Sequence, residues 1–366
     1  MKAIVVRPPT PGVSFEDVPE PSMVPGTVKV RILENGVCGT DREVSAGRLL
    51  TARPPPGKDW MILGHEALGQ VEKVGEGTSG LEEGDLVMPI NRRGCGQCMN
   101  CQMGRPDHCE TGGFRENGIT ELDGFMSETL IEQPRYLVVV PKNLRDIAIL
   151  AQPLSDLVKS VDEMLHVQGR LHFQCEDYTL NCRRALVTGT GPIGMLVSML
   201  LRTYGMKVYA ANRREPKEVE KRIFSEVGVQ YYNSSSGYGE LYKEAGGMDV
   251  IFDTTGKADV IHSLLPLLRN NSFLAFFGFS SEGMMNLTSL DVQRLIFKGV
   301  AMVGLANGQK PHFERALWHL ASWKTVWPEA VKMLITREVR VQEFDEVKRV
   351  LERKEEGEIK VKLIWS

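Results

Sequence analysis

The chain has 366 residues, 42% hydrophobic and 25% charged, with 44 Lys and Arg against 47 Asp and Glu for a formal net charge of −3. These values describe a globular protein of roughly two domains and exclude disorder as its main state. With no basic surplus to neutralise phosphates, nucleic acid is not expected as a main partner. The most apolar helix-like run, residues 193–201, falls well short of the roughly 20 residues that cross a bilayer, so no membrane partner is expected. The start, MKAIVVRPP, is too short in apolar residues for a leader and reads as a first strand; a cytoplasmic protein is expected.

In chain order, the first 180 residues read as β-rich. Val28-Lys29-Val30-Arg31-Ile32 alternates apolar and polar residues, and turn signals recur at Pro54-Pro55-Pro56-Gly57 and Glu83-Gly84-Asp85. Within this part, Cys38 lies in Val37-Cys38-Gly39-Thr40-Asp41, and Gly64-His65-Glu66 follows a strand at Met61-Ile62-Leu63. A thiolate, an imidazole and a carboxylate are three suitable zinc ligands, and three protein ligands with one open position suit catalysis. Spacing alone leaves open whether they converge.

Next come Cys95, Cys98, Cys101 and Cys109, spaced C-x2-C-x2-C-x7-C. Four thiolates close a tetrahedron around zinc and leave no open position, which describes a structural site in a lobe spanning about residues 92–112. An iron–sulfur cluster or unliganded thiols are the alternatives. Nearby Arg92, Arg93 and Arg105 make a nucleic-acid ribbon conceivable, against the overall charge. Cys175 and Cys182 bracket a later loop, and the sequence leaves open whether they pair.

Around residue 183 the texture changes. Ala185 to Thr188 reads as a buried strand running into GTGPIG, followed by a helix over 193–204 and a strand over 207–211. Such a strand–helix–strand unit belongs to a parallel sheet. Gly189, Gly191 and Gly194 fit G-x-G-x-x-G, in which glycines permit the turn, the approach of a pyrophosphate and close helix packing. The helix opening at Pro192 aims its N–H groups and positive dipole end at the phosphates. At the end of the second strand stands Asn212-Arg213-Arg214 rather than an acidic residue, so NADP use is expected with NAD tolerated. Further strands are expected at 249–252, 273–277 and 301–303, then helices at 312–323 and 344–354. The ending GEIKVKLIWS alternates lysines with Ile359, Val361 and Leu363 and reads as a half-exposed closing strand. Residues 1–183 and 308–366 are thus expected to form one domain, with a nucleotide-binding domain inserted at 184–307. Trp318, Trp323 and Trp327 read as core or subunit-contact residues.

These blocks together resemble a known family. Gly64-His65-Glu66 through Gly69 to Gly75 fits the zinc-containing medium-chain dehydrogenase signature G-H-E-x2-G-x5-G, with a small departure at Thr78. CGTDRE, NRRGCGQCMNCQMGRPDHCETG, AQPLSD, ANRREP and GLANGQKPHF resemble the archaeal glucose (aldose) 1-dehydrogenases. The resemblance implies an α/β chain with a GroES-like β-rich catalytic domain and a Rossmann doubly wound parallel sheet, with the site in the cleft between them. It implies hydride transfer from C1 of an aldose (glucose, with galactose or xylose) to NADP+ or NAD+, giving the aldonolactone.

It also implies two zinc ions per chain and a homo-oligomer, dimer or tetramer. Carried over residue by residue, Cys38, His65, Glu66 and Gln152 surround the catalytic zinc. Thr40, Asn91, Glu116, Gln152, Asp156 and Asn307 surround the sugar, Thr40 bonding the reacting hydroxyl. Thr190, Pro192, Ile193, Thr254, Gly278 and Asn307 join Gly189, Gly191, Gly194, Asn212, Arg213 and Arg214 around the cofactor. Gln152 departs from relatives that supply cysteine or glutamate there. With Cys38 and Glu66 ionised, zinc and its ligands are then formally neutral, which favours a stronger Lewis acid or lets water take the place of the amide. Zinc polyol, threonine or alcohol dehydrogenases are the nearest rival, and a non-catalytic NADP-binding zinc protein the rival from another class.

Overall fold

The computed structural model describes residues 1–280 and 283–365. The chain divides into two compact units, one of residues 1–155, 307–322 and 334–366, the other of 156–306 and 323–333.

The first unit is β-rich. Its seven-stranded sheet runs Leu137–Val139, Leu86–Pro89, Ala67–Val74, Val28–Val37, Lys360–Ile364 and Ile335–Arg340, with Thr129–Glu132 also pairing Val28–Val37. A second sheet orders Thr10–Asp17, Lys2–Arg7 and Met61–Ile62. Val28, Val30, Ile32, Ala67, Val71 and Val361 supply the apolar core, each burial favourable by roughly 25 cal/mol per Å2 of apolar surface. The alternation over 28–32 extends into a ten-residue strand.

One expectation is corrected here. The strand Lys360–Ile364 is not half exposed: Lys360 and Lys362 are 2% and 6% exposed. Alternation reports two faces, and here both are covered: Val361 and Leu363 join the apolar cluster, while Lys360 and Lys362 on the other face are buried against Glu66 and Glu34. The lysines survive burial through ion pairs, Lys360 with Glu66 and Lys362 with Glu34.

The second unit holds a six-stranded parallel sheet ordered Gln230–Asn233, Lys207–Asn212, Arg184–Thr188, Met248–Asp253, Leu268–Phe276 and Ala301–Gly304. The helix Pro192–Thr203 crosses from Arg184–Thr188 to Lys207–Asn212. Its residues Met195 to Leu201 are all buried, as crossover packing on a parallel sheet requires. Trp323 is buried and its Nε1 donates to Thr203 Oγ1 at 2.8 Å, whereas Trp318 is 64% exposed. Cys175 and Cys182 form a disulfide. No helix of the described residues is long and apolar enough to cross a membrane.

Candidate active site

Three sequence-distant groups meet in the first unit. Cys38 caps the short helix Gly39–Ser45, and His65 and Glu66 lead into the strand Ala67–Val74. Gly64 makes the entry: its φ is +94°, and an added Cβ would lie 2.5 Å from Met126 Cγ. One ligand atom from each of Cys38, His65 and Glu66 lies within 4.8 Å of the others.

Buried partners hold each of them. His65 Nδ1 meets Asp41 Oδ1 at 3.0 Å, and Asp41 Oδ2 accepts the Cys38 N–H at 2.8 Å. Burial opposes a charge on His65, but the Asp41 carboxylate and then Cys38 together outweigh it, and the imidazole pKa stands well above the ordinary value. That arrangement leaves Nε2 to face the cluster. Glu66 is fully buried, its Oε1 has no hydrogen-bond partner, and its Oε2 pairs with Lys360 Nζ. The Glu66 carbonyl accepts from Asn35 Nδ2 at 3.0 Å, and Asn35 in turn accepts from Trp365 Nε1. A soft thiolate, an imidazole with its second nitrogen already engaged and an orphaned carboxylate oxygen fit a divalent cation such as zinc.

The other expected residues are placed as follows. Thr40 Oγ1 lies 3.9 Å from Cys38 Sγ. Asn91 Nδ2 donates to Glu116 Oε1 at 2.9 Å, and both are buried. Gln152 is buried in the first turn of the helix Ala151–Gln168. Asn307 takes a left-handed φ of 60° in the first unit, whereas Asp156 belongs to the second.

In the lobe, Cys95, Cys98, Cys101 and Cys109 bring their sulfurs within 4.8 Å of one another. The backbone N–H groups of Gln97 and Cys98 donate to Cys95 Sγ at 3.4 and 3.3 Å. Hydrogen bonding from Thr111 and these amides lowers the Cys95 thiol to about 6, while burial and the neighbouring sulfurs push Cys101 up to about 12. Four sulfurs this close together fit a cation at their centre. The three nearby arginines are engaged by acids, Arg92 with Glu116, Arg93 with Glu132 and Arg105 with Asp107.

In the second unit the glycine turn is tightly built. A Cβ on Gly194 would collide with the Gly189 carbonyl, which is why helix and turn pack so closely. Gly191 caps the helix, with Pro192 and Ile193 in its first turn. Thr254 Oγ1 donates to the Thr188 carbonyl at 2.6 Å, and Gly278 N donates to the Asp253 carbonyl at 3.0 Å. Asn212 Nδ2 donates to Thr190 Oγ1, Arg214 makes a two-point pair with buried Glu220, and Arg213 pairs with exposed Asp259.

Residues 145–364 match the family described as Glucose dehydrogenase C-terminus, and residues 24–142 match the Alcohol dehydrogenase GroES-like domain. The chain is 54% identical over 370 residues to Glucose 1-dehydrogenase 2 of Caldivirga maquilingensis, covering 100% of both. It is 51% identical over 372 residues to Glucose 1-dehydrogenase 2 of Saccharolobus solfataricus, again covering 100% of both. The chain belongs to the glucose 1-dehydrogenase family. Among solved structures, Haloferax mediterranei glucose dehydrogenase in complex with NADP, Zn and gluconolactone is similar with a TM-score of 0.88. Identity there is 26%, with 100% of this chain and 99% of that one covered.

Several supporting residues in this chain are not legible in the sequence. Asp41 has a signal, since it stands three residues after Cys38 as a capping residue would. Glu220 stands likewise three residues after Lys217, whereas Lys360 and Asp253 have no such signal. Asp253 is buried and accepts from the Thr188 and Thr255 hydroxyls, both at 2.7 Å, and from Gly256 N at 2.8 Å. It ties the end of the strand Arg184–Thr188, just before the glycine turn, to the loop that follows its own strand.

Proposed function

We propose that this chain oxidises C1 of an aldopyranose, glucose first, to the aldonolactone, reducing NADP+ or NAD+ and releasing a proton. The observation that carries the reading is the convergence of Cys38, His65 and Glu66 in a chain of this family. When bound, zinc supplies Lewis-acid polarisation of the C1 oxygen and the nicotinamide supplies the hydride acceptor.

The chain's own residues do the rest. Cys38, His65, Glu66 and Gln152 hold the catalytic metal, and Cys95, Cys98, Cys101 and Cys109 the structural one. Thr40 orients the reacting hydroxyl, and Thr40 with Glu66 offers the route for its proton. Asn91, Glu116, Asp156 and Asn307 give the sugar the polar partners that its hydroxyls demand on leaving water. The Asn91–Glu116 bond presets one such pair.

For the coenzyme, Gly189, Thr190, Gly191, Pro192, Ile193 and Gly194 cradle the pyrophosphate, with Thr254, Gly278 and Asn307 beside it. Arg213 and Arg214 favour a 2′-phosphate, and the neutral Asn212 leaves NAD+ acceptable.

A homo-oligomer completes the reading. The strand Ala301–Gly304 is a sheet edge, and Phe279, Met284, Ile296 and Phe297 are 70% to 80% exposed, a liability that a second copy removes. The thiolate cage and the nucleotide cofactor fit the cytoplasm.

Initial rates with glucose, galactose, xylose and a panel of secondary alcohols, each with both coenzymes, test the proposal. Aldose oxidation that stops when a chelator removes one of two zincs supports it. Fast alcohol oxidation without sugar oxidation overturns it.

A further inference from the structure

The three side chains at the end of the strand Lys207–Asn212 have very different commitments. Both ends of the Asn212 amide are engaged, Nδ2 with Thr190 and Oδ1 with the Arg213 N–H at 2.8 Å. Arg214 reaches both oxygens of Glu220, a carboxylate only 3% exposed, at 2.7 and 2.5 Å. Breaking a pair with a buried member strands a charge, so Arg214 stays where it is. Arg213 differs. Its Nη2 lies 2.6 Å from Asp259 Oδ2, and the two side chains are 56% and 63% exposed. A pair this exposed is worth little and exchanges readily for a better anion. A 2′-phosphate, with more than one negative charge and three acceptor oxygens, is such an anion.

We propose that Asp259 is a specificity-determining residue, whose carboxylate competes with the coenzyme 2′-phosphate for the Arg213 guanidinium and so holds down the preference for NADP+ over NAD+. The inference rests on the reading that Arg213 meets that phosphate. Asp259 comes from the start of the helix Ala258–Leu264, remote in sequence from the strand end where an acidic residue is ordinarily sought. It acts in two ways. Its ion pair must open before the phosphate can be gripped, and once opened it leaves a like charge near the phosphate. NAD+ lacks the phosphate and meets neither cost. The Arg213 hydrogen bond also holds the Asp259 carboxyl below its ordinary range, so the competitor is ionised at neutral pH.

The test is the dissociation constants of NADP+ and NAD+ on the full-length, zinc-loaded protein, by calorimetry, for wild type, D259N, D259E, R213A and D259N/R213A. D259N is expected to bind NADP+ about fivefold more tightly, near the upper end for an exposed pair, with NAD+ changed by less than about twofold. D259E keeps the carboxylate and the wild-type ratio. In the R213A background the D259N gain disappears. An unchanged NADP+ to NAD+ ratio in D259N, or an equal gain without Arg213, overturns the competition while leaving the phosphate reading intact. R213A losing both coenzymes equally overturns that reading, and the proposal with it.

Discussion

Asp41 Oδ1 lies 3.0 Å from Nδ1 of the buried His65, and its other oxygen accepts the Cys38 N–H at 2.8 Å. One carboxylate thus fixes two side chains of the candidate metal cluster whose positions are 27 residues apart in the chain. It sets the imidazole tautomer and also the backbone from which the thiolate projects.

Asp41→Asn has one acceptor oxygen for these two donors, and its NH2 faces whichever is left. We expect the affinity of the Cys38–His65–Glu66 site for zinc to fall about 10- to 100-fold. The cysteine lobe keeps its metal. Zinc content after graded chelator competition checks this; loss of both metals together would show general unfolding instead.

Lys360→Met removes the ion-pair partner of the fully buried Glu66 carboxylate. An uncompensated buried charge costs about 3–5 kcal/mol. A metal cation bound to Glu66 compensates it in turn. The variant should therefore be strongly destabilised after mild chelation and much less so with zinc. Urea unfolding in both states gives the answer, and an equal loss in the two argues against Glu66 as a ligand.

How much of this the sequence reveals depends on whether a partner is local. His65 and Glu66 announce themselves through a contiguous signature, and the lobe through the spacing of Cys95, Cys98, Cys101 and Cys109. Gly189 to Gly194 lie between a strand and a helix, so the cofactor turn is equally readable. Lys360 is invisible for the opposite reason. Its pairing with Glu66 follows from Val361 standing opposite Val37 and from Gly36 N bonding to the Glu66 carbonyl, and no local pattern encodes that register. The alternation around Lys360 even points the wrong way, because it says nothing about whether the second face is covered. Asp259 is hidden likewise, being on a helix that folds back on the strand end.

On the proposed ligand set, Gln152→Glu adds an anion to the two already there with Cys38 and Glu66 ionised. The extra charge weakens polarisation of the substrate oxygen. We expect turnover at neutral pH to fall, with zinc content unchanged. Higher turnover would contradict a role for the neutral amide.

Replacing Cys175 and Cys182 by serine opens a crosslink with a sequence separation of seven. Loop-closure entropy for so short a loop is about 2.5 kcal/mol. Calorimetry should show a lower transition temperature in the variant. A reductant should lower it in wild type alone, and indifference of the wild type would mean the pair contributes nothing.

Glu220 gives a pH-dependent prediction with a fixed sign. Burial works against its charge, but hydrogen bonds from Arg214, the Lys217 N–H and the Thr190 hydroxyl prevail, and its carboxyl lies below the ordinary range. The unfolded chain therefore holds this proton more tightly than the native one. Its contribution to stability is complete above the ordinary glutamate pKa of about 4.3 and is lost as pH falls through the depressed native value. Glu220→Gln turns an amide NH2 toward the Arg214 guanidinium, leaving a buried polar mismatch worth about 1–3 kcal/mol. Urea midpoints of wild type and variant should then differ by a constant amount from about pH 6 to 8 and converge as the acid range is entered. A gap that persists unchanged in acid would mean that Glu220 acts through packing rather than charge. It would also remove the reason for regarding Arg214 as fixed while Arg213 is free to exchange its partner.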